Sequence, residues 1–214
     1  DEWRLAGPGL DRLTLSAAAP DFAYAMTLEA DGPLVFHGDG GYSVKSERGQ
    51  ASYYYSQPFY TISGTLTLPA GEVPVTGQAW LDREWSSAPL DRDQTGWDWF
   101  SLSFESGAKL MGAQVRREGG APFSFGTWIA PDGTTAALES GAFRAEPLAH
   151  STVAGRAVPT RWRVRVPARG VDLTVAALNP RAWMDLSVPY WEGPVTVSGS
   201  HAGEGYLEMT GYEG

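Results

Sequence analysis

Short segments that alternate between apolar and polar residues, separated by turns, constrain this chain more than any other feature of its sequence. Phe22–Leu28 reads Phe-Ala-Tyr-Ala-Met-Thr-Leu, and Asp11–Leu15 also alternates. Alternation is typical of strands, whose successive side chains point to opposite faces. No long segment has the spacing of three and four residues that an amphipathic helix needs. Short strands at intervals of about 8–12 residues predict an all-β sandwich or barrel.

The distribution of these segments predicts two domains. The strands expected are Asp11–Leu15, Phe22–Leu28, Leu34–His37, Ala51–Ser56, Tyr60–Leu68, Val73–Glu84, Trp97–Phe104, Lys109–Arg116, Phe123–Ile129, Trp162–Val166, Asp172–Ala176, Val195–Gly199 and Gly205–Met209. The polar, Pro-containing stretch 86–95 suggests a boundary near residue 95. Residues 96–214 carry about eight strands, enough for one small barrel. Residues 1–95 carry fewer, so we expect them to be the latter part of a barrel. Either an upstream segment of the same protein completes that barrel, or the chain pairs with another chain.

Composition excludes several classes of protein. The 214 residues are 43% hydrophobic and 19% charged, which permits a core and argues against disorder. A net charge of −9 with scattered basic residues is unsuited to binding nucleic acid. No apolar stretch reaches the roughly 20 residues of a transmembrane helix. The absence of cysteine excludes disulfides, thiolate metal sites and cysteine nucleophiles, and leaves the cellular compartment undetermined.

A cluster of acids and tryptophans in Gly77–Trp85 and Trp97–Phe100 is the strongest candidate for a functional site. In an extended strand Trp80, Asp82 and Glu84 share one face. A carboxyl group in an apolar cavity stays protonated near neutral pH, because loss of solvent disfavours its charged form. The alternative interpretations are a structural charge cluster or a solvated strand edge.

Other candidates for chemistry are weaker. His37, His150 and His201 are widely spaced, so no metal site is predicted. Ser56 lacks the Gly-x-Ser-x-Gly context of a hydrolase nucleophile. The turn Gly38–Gly41 is not followed by the Lys-Ser/Thr of a phosphate-binding loop, and His37 beside it is expected to cap the turn.

Five motifs in the same order resemble the carotenoid 1,2-hydratase and AttH-like family. They are Gly38–Ser43, Tyr53–Ser56, Gly77–Trp85, Gly96–Phe100 and the tail from Tyr190 to Tyr212. The resemblance implies two consecutive lipocalin-like antiparallel β-barrels. Members of the family carry a Glu-Trp-Trp-Tyr-like motif near the N-terminus that is not found here. This chain is therefore expected to match roughly the latter two thirds of the usual protein, with the first barrel incomplete.

The family includes enzymes that hydrate acyclic carotenoids, kievitone hydratase-like enzymes, decalin-forming cyclases and many secreted proteins. In the hydratases an Asp placed like Asp82 follows an aromatic residue placed like Trp80. A His and a Trp lie on the preceding strand, where this chain has Tyr53 and Tyr55. The resemblance implies a lipophilic ligand, and a periplasmic or secreted location suits many relatives.

Three functions remain open from the sequence. The first is a cofactor-free hydratase, a lyase, in which Asp82 and Glu84 supply the acid that protonates a C=C bond of an isoprenoid or polyene. Aromatic faces stabilise a passing cation, and Trp80, Tyr53, Tyr55, Trp97 and Trp99 are the candidates for ligand binding. The second is a lipid or secondary-metabolite binding protein without activity. The third is a cyclase or isomerase that works by holding its substrate in a reactive shape.

Overall fold

The computed structural model describes residues 3–88 and 90–212, and within them the protein is all-β, as predicted. Seventeen strands form, together with one 3₁₀ turn at Pro167–Arg169. The strands are β1 (Arg4–Gly9), β2 (Arg12–Ala19), β3 (Phe22–Ala30), β4 (Val35–Phe36), β5 (Tyr42–Val44), β6 (Ala51–Leu68), β7 (Gly71–Trp85), β8 (Gln94–Phe104), β9 (Lys109–Arg117), β10 (Phe123–Ile129), β11 (Thr135–Leu138), β12 (Arg144–Val153), β13 (Arg156–Val166), β14 (Val171–Ala177), β15 (Trp183–Met184), β16 (Tyr190–Gly199) and β17 (Gly203–Met209).

The chain forms two compact units. The first unit contains residues up to 36 together with 55–83, and the second contains 37–54 together with the chain from residue 84 onward. Strand β6 therefore contributes its opening residues to the second unit and the rest to the first. These units do not decide how the strands are divided between barrels, so the domain boundary expected near residue 95 stays a prediction.

The first unit is built on antiparallel pairing in the order β1, β2, β3, β6, and β7 also pairs with β6. The register places Leu13 opposite Leu28 and Leu28 opposite Ile62, so apolar side chains from three strands share one face. Only Leu13, Leu28 and Tyr60 are buried in this cluster, and Tyr60 donates its hydroxyl to Leu10 O at 2.6 Å. The first unit thus has a small core.

The second unit contains an antiparallel sheet in the order β11, β10, β9, β8, β17, β16, β14, β13, β12. The C-terminal strand β17 pairs with both β8 and β16, so the tail occupies the middle of the sheet. Alternate residues of these strands, such as Phe100, Leu102 and Leu207, are fully buried in one large core.

Most expected strands are present, with differences that have local causes. The segments Ala51–Ser56 and Tyr60–Leu68 join into β6 across Pro58, where the Gln57 side chain receives the Phe59 amide at 3.1 Å. Strands β1, β5, β11, β12 and β15 were not predicted. The pattern of β12 is interrupted by Pro147 and by a shift of register near Ala149, which hides its alternation.

Candidate functional site

Asp82 is half-buried in the first unit, on β7, and two neighbouring groups fix its carboxyl group. The indole Nε1 of Trp80 donates to Asp82 Oδ1 at 2.8 Å, and the hydroxyl of Ser56 on β6 donates to the same oxygen. Ser56 is fully buried. The bond from Trp80 agrees with the expectation that residues 80 and 82 share a strand face. Because both bonds end on one oxygen, the carboxyl plane is held in a defined orientation.

Glu84 lies in the second unit and forms an ion pair. Its Oε1 accepts Lys45 Nζ at 2.8 Å and the Ser52 hydroxyl at 2.5 Å. Lys45 is only 7% exposed, and its Nζ lies 3.8 Å from the ring centre of Phe125. This ion pair matches the alternative of a structural charge cluster. The catalytic role of Glu84 stays a prediction.

Among the three consecutive tyrosines, Tyr54 is the buried one. It is 2% exposed, its hydroxyl accepts Trp99 Nε1 at 3.0 Å, and its ring centre lies 4.1 Å from that of His37. Tyr53 is 67% exposed and its ring packs against that of Tyr42. Strand alternation separates Tyr54 from its neighbours but does not say which face is inside, so burial of Tyr54 could not be predicted from the sequence.

The other predicted ligand-binding aromatics are placed as follows. Tyr55 is half-buried in the first unit, and its ring packs against Phe36 with centres 5.9 Å apart. Trp97 and Trp99 are half-buried in the second unit. Trp97 Nε1 donates to Glu208 Oε1 at 2.7 Å, and its ring meets Tyr190 edge-on. The contacts of Trp97 are typical of aromatic packing, and ligand binding by any of these residues stays a prediction.

His37, expected to cap the turn beside it, is buried in a way that the sequence did not predict. It is fully buried in the second unit, with its Nδ1 2.8 Å from the Thr127 hydroxyl. Burial, and then the charge of Lys45, lowers the pKa of His37 to about 3, so the ring is neutral near pH 7. Its carbonyl also receives the Gly41 amide at 3.0 Å, which is the turn-capping role that was expected.

Asp98 is a fully buried acid on β8 whose environment the sequence did not reveal. Its carboxylate accepts Gln114 Nε2 at 2.9 Å, the Tyr212 hydroxyl at 2.9 Å and Arg116 Nη1. Burial raises the pKa of Asp98, while the Arg116 charge and the hydrogen bonds act in the opposite direction. An acid enclosed by one guanidinium and two neutral donors stabilises the fold and cannot readily pass a proton to a ligand.

A cleft of about 450 Å³ lies within the second unit. His37, Tyr42, Met111, Phe125 and Leu138 are among the residues that line it. Its volume falls in the range of small-molecule sites, and its lining is largely apolar.

The described residues, 3–88 and 90–212, contain no group of three His, Asp or Glu side chains that could hold a metal ion. In that same part of the chain no helix could span a lipid bilayer.

Comparison with known proteins identifies the family. The model of the AttH-like family matches residues 1–212. The chain belongs to the AttH-like family. A protein from Nitrosomonas europaea, provisionally assigned as AttH, has a crystal structure with a TM-score of 0.90 and 33% identity; the match covers 99% of this chain and 69% of that one. The search of curated proteins found no match.

Kievitone hydratase from Nectria haematococca shares the fold of this AttH-like chain. Its crystal structure matches with a TM-score of 0.80 at 18% identity, over 99% of this chain and 68% of the other. Identity at that level shows the fold alone. The lipocalin-like, antiparallel all-β class that the resemblance implied is confirmed. The expected share of about two thirds of a longer protein agrees with the covered lengths of both structures.

Proposed function

We propose that this AttH-like protein adds water to a carbon–carbon double bond of a lipophilic substrate, with Asp82 as the proton donor and no cofactor. The observation that carries the proposal is the pair of hydrogen bonds from Ser56 and Trp80 to Asp82 Oδ1. They hold the carboxyl group rigidly, and a general acid must be positioned before it can act.

The reaction balances without any further reagent. The proton on Asp82 Oδ2 adds to one alkene carbon, the π bond breaks, and a cation forms at the other carbon. A water oxygen then bonds to that carbon, and its excess proton returns to the Asp82 carboxylate. The indole of Trp80, fixed to the same carboxyl group, supplies an aromatic face that favours a nearby cation.

An apolar substrate, isoprenoid or polyene in class, suits the first unit. Leu15, Met26, Ile62 and Leu81 lie around its small core and are only half-buried. They belong to the same unit as Asp82 and offer apolar surface that the protein leaves partly uncovered. Burial of that surface by a hydrocarbon chain is favourable by about 25 cal/mol per Å².

A binding protein without activity is the second candidate, and the cleft in the second unit favours it. That cleft of about 450 Å³ has an apolar lining, and its neutral His37 adds no charge at neutral pH. A ligand held there needs no proton donor. In this case the bond from Ser56 to Asp82 serves only to join β6 and β7, and the bond from Trp80 lies within β7.

The test uses an acyclic carotenoid in water enriched in oxygen-18, with the product followed by mass spectrometry. We expect a hydrated, labelled product, and we expect Asp82→Asn to lower the rate at least about 100-fold, as loss of a general acid does. Asp21→Asn is the matched control, because Asp21 is an exposed acid of the same unit.

Three other results would contradict hydration with Asp82 as the proton donor. Full activity of Asp82→Asn contradicts the proposal directly. Quenching of tryptophan fluorescence by the polyene with no product favours the binding protein. A product of unchanged mass that is insensitive to Asp82→Asn favours a cyclase or isomerase that acts by shape.

A further inference from the structure

Two buried hydrogen-bond donors in the second unit lie next to each other without an acceptor. They are Nε of Arg156 and Nε1 of Trp183, and neither has a partner among residues 3–88 and 90–212. The guanidinium carbon of Arg156 lies 4.7 Å from the ring centre of Trp183. Buried polar groups in proteins are nearly always hydrogen-bonded, so two adjacent exceptions indicate a missing acceptor.

Both side chains lie on the core face of the large sheet. Arg156 pairs with Val153 across β12 and β13, and Trp183 pairs with Trp191 across β15 and β16. Val153 and Trp191 are members of the buried core, and residues directly opposite in a sheet share a face. The two donors therefore point towards the interior of this unit rather than into open solvent.

A tight hairpin turn fixes the guanidinium. Ala154 and Gly155 have positive φ values of 49° and 81°, which lets the chain reverse between β12 and β13. The turn brings the Ala154 carbonyl to Arg156 Nη1 at 2.9 Å. With Nη1 occupied and the guanidinium over the Trp183 ring, the edge formed by Nε and Nη2 is the one available to another group.

The charge of Arg156 is not balanced by an acid. Among the described residues no Asp or Glu forms an ion pair with it, whereas Arg116, Arg163 and Arg165 each have a carboxylate partner. A half-buried cation without a counter-ion is costly, and an anion would remove that cost. A carboxylate fits best, because its two oxygens match the Nε–Nη2 edge and can also accept the indole N–H.

We propose that Arg156 and Trp183 form a binding site for a carboxylate at this end of the large sheet. The carboxylate belongs either to a small free acid or to the head of an amphiphile. The exposed Leu186 and Val188, 58% and 48% accessible, follow Trp183 closely in the chain and offer apolar surface for a tail. The site is independent of the proposed hydration.

The test follows the Trp183 indole N–H resonance of the intact protein by NMR, assigned through Trp183→Phe, while butyrate is added. We expect a saturable shift below about 50 mM butyrate, and at least about tenfold weaker binding in Arg156→Met. Arg156→Lys keeps the charge but loses the two-pronged edge, and we expect intermediate binding. Arg161→Met is the matched control, since Arg161 is exposed on the same strand, and it should bind as the natural protein does.

Octanoate and octyltrimethylammonium test whether the carboxylate belongs to a small free acid or to the head of an amphiphile. Tighter binding of octanoate than of butyrate assigns the site to an amphiphile, and equal binding assigns it to a free acid. The proposal is overturned if neither carboxylate shifts the resonance, if chloride shifts it equally, if the ammonium compound binds as well as octanoate, or if both Arg156 variants bind butyrate undiminished.

Discussion

The two units bury their apolar residues to very different extents. Among residues 3–88 and 90–212, 20 buried residues form one continuous core in the second unit, whereas only Leu13, Leu28 and Tyr60 form the buried core cluster of the first. A core as continuous as that of the second unit resists substitution of its side chains and holds its strands in place. The first unit keeps apolar side chains half-covered on the sheet that carries Asp82, which is where a lipophilic ligand would gain most. In the proposed hydration, the first unit carries the chemistry.

The surroundings of the acids also differ between the two units. Asp98 in the second unit is fully enclosed and matched by Arg116. Asp82 is half-buried and accepts hydrogen bonds from the side chains of Ser56 and Trp80. The two acids therefore differ in access: Asp98 has no exposed surface, whereas part of the Asp82 surface can meet a ligand.

The largest expected effect comes from the core of the second unit. Leu207 is fully buried on β17, which pairs with strands on both sides. We expect Leu207→Ala to lower the free energy of unfolding by about 4 kcal/mol, near the upper end for such changes, because its rigid surroundings leave a cavity. Urea unfolding measures this. A smaller loss than that caused by Leu28→Ala in the first unit would contradict the difference in packing between the two units.

The next effect concerns the enclosed acid. Arg116→Met leaves the Asp98 carboxylate buried without its cation, and we expect a loss of about 3 kcal/mol. The loss should shrink if Asp98→Asn is introduced as well, because no charge is then stranded. A double-mutant cycle by urea unfolding checks this, and purely additive effects would show that the pair is not coupled.

The same Leu-to-Ala change should cost less in the first unit. Leu28 is 5% exposed, but half-buried side chains such as Leu15 and Met26 surround it and can close over the gap. We expect Leu28→Ala to cost about 2 kcal/mol, the lower end of the range. Hydrogen exchange of the β2 and β3 amides should accelerate while that of β17 stays unchanged. Faster exchange in β17 would indicate that the two cores are not separable.

Acid should destabilise the second unit through His37. Burial lowers its pKa from 6.5 to about 3. Between these pH values the His37 side chain binds a proton in the unfolded chain but not in the folded chain. Stability from this group is full above pH 6.5, falls as pH drops below that value and continues to fall until about pH 3. Between pH 7 and pH 5 the loss is about 2 kcal/mol.

Urea unfolding at several pH values measures that slope. His37→Gln should flatten it, while His150→Gln should not, because His150 is exposed. Equal slopes in the natural protein and His37→Gln would show that the folded state accepts the proton, and that the second unit excludes charge less strictly than its packing suggests.

Local pattern predicted the strands well wherever one face is buried and the other is not. β10 spans Phe123–Ile129 as expected, and β3, β8 and β9 differ from expectation by a few residues at their ends. The shared face of Trp80 and Asp82 followed from the same alternation. β12 and β15 escaped prediction, because a proline and a register shift interrupt the former and the latter has only two residues.

The surroundings of the candidate residues could not be predicted. Partners of Asp98 come from positions 114, 116 and 212, and His37 meets Thr127 from 90 residues away. The role of Lys45 as partner of Glu84, and the burial of Tyr54 rather than Tyr53, depend equally on contacts between distant segments. Nothing in the spacing of these residues signals such contacts.

Local pattern is enough to predict that this protein is built from antiparallel strands, which side chains share a face along each strand, and that indole and carboxyl groups fall together at residues 80 and 82. These properties depend on the backbone over a few residues. The folded chain is needed to learn which face is covered, which acid is matched by a cation, and that the Arg156 guanidinium has no carboxylate partner among residues 3–88 and 90–212. Burial and pairing depend on strands far apart in the chain, and a pattern of period two cannot specify them.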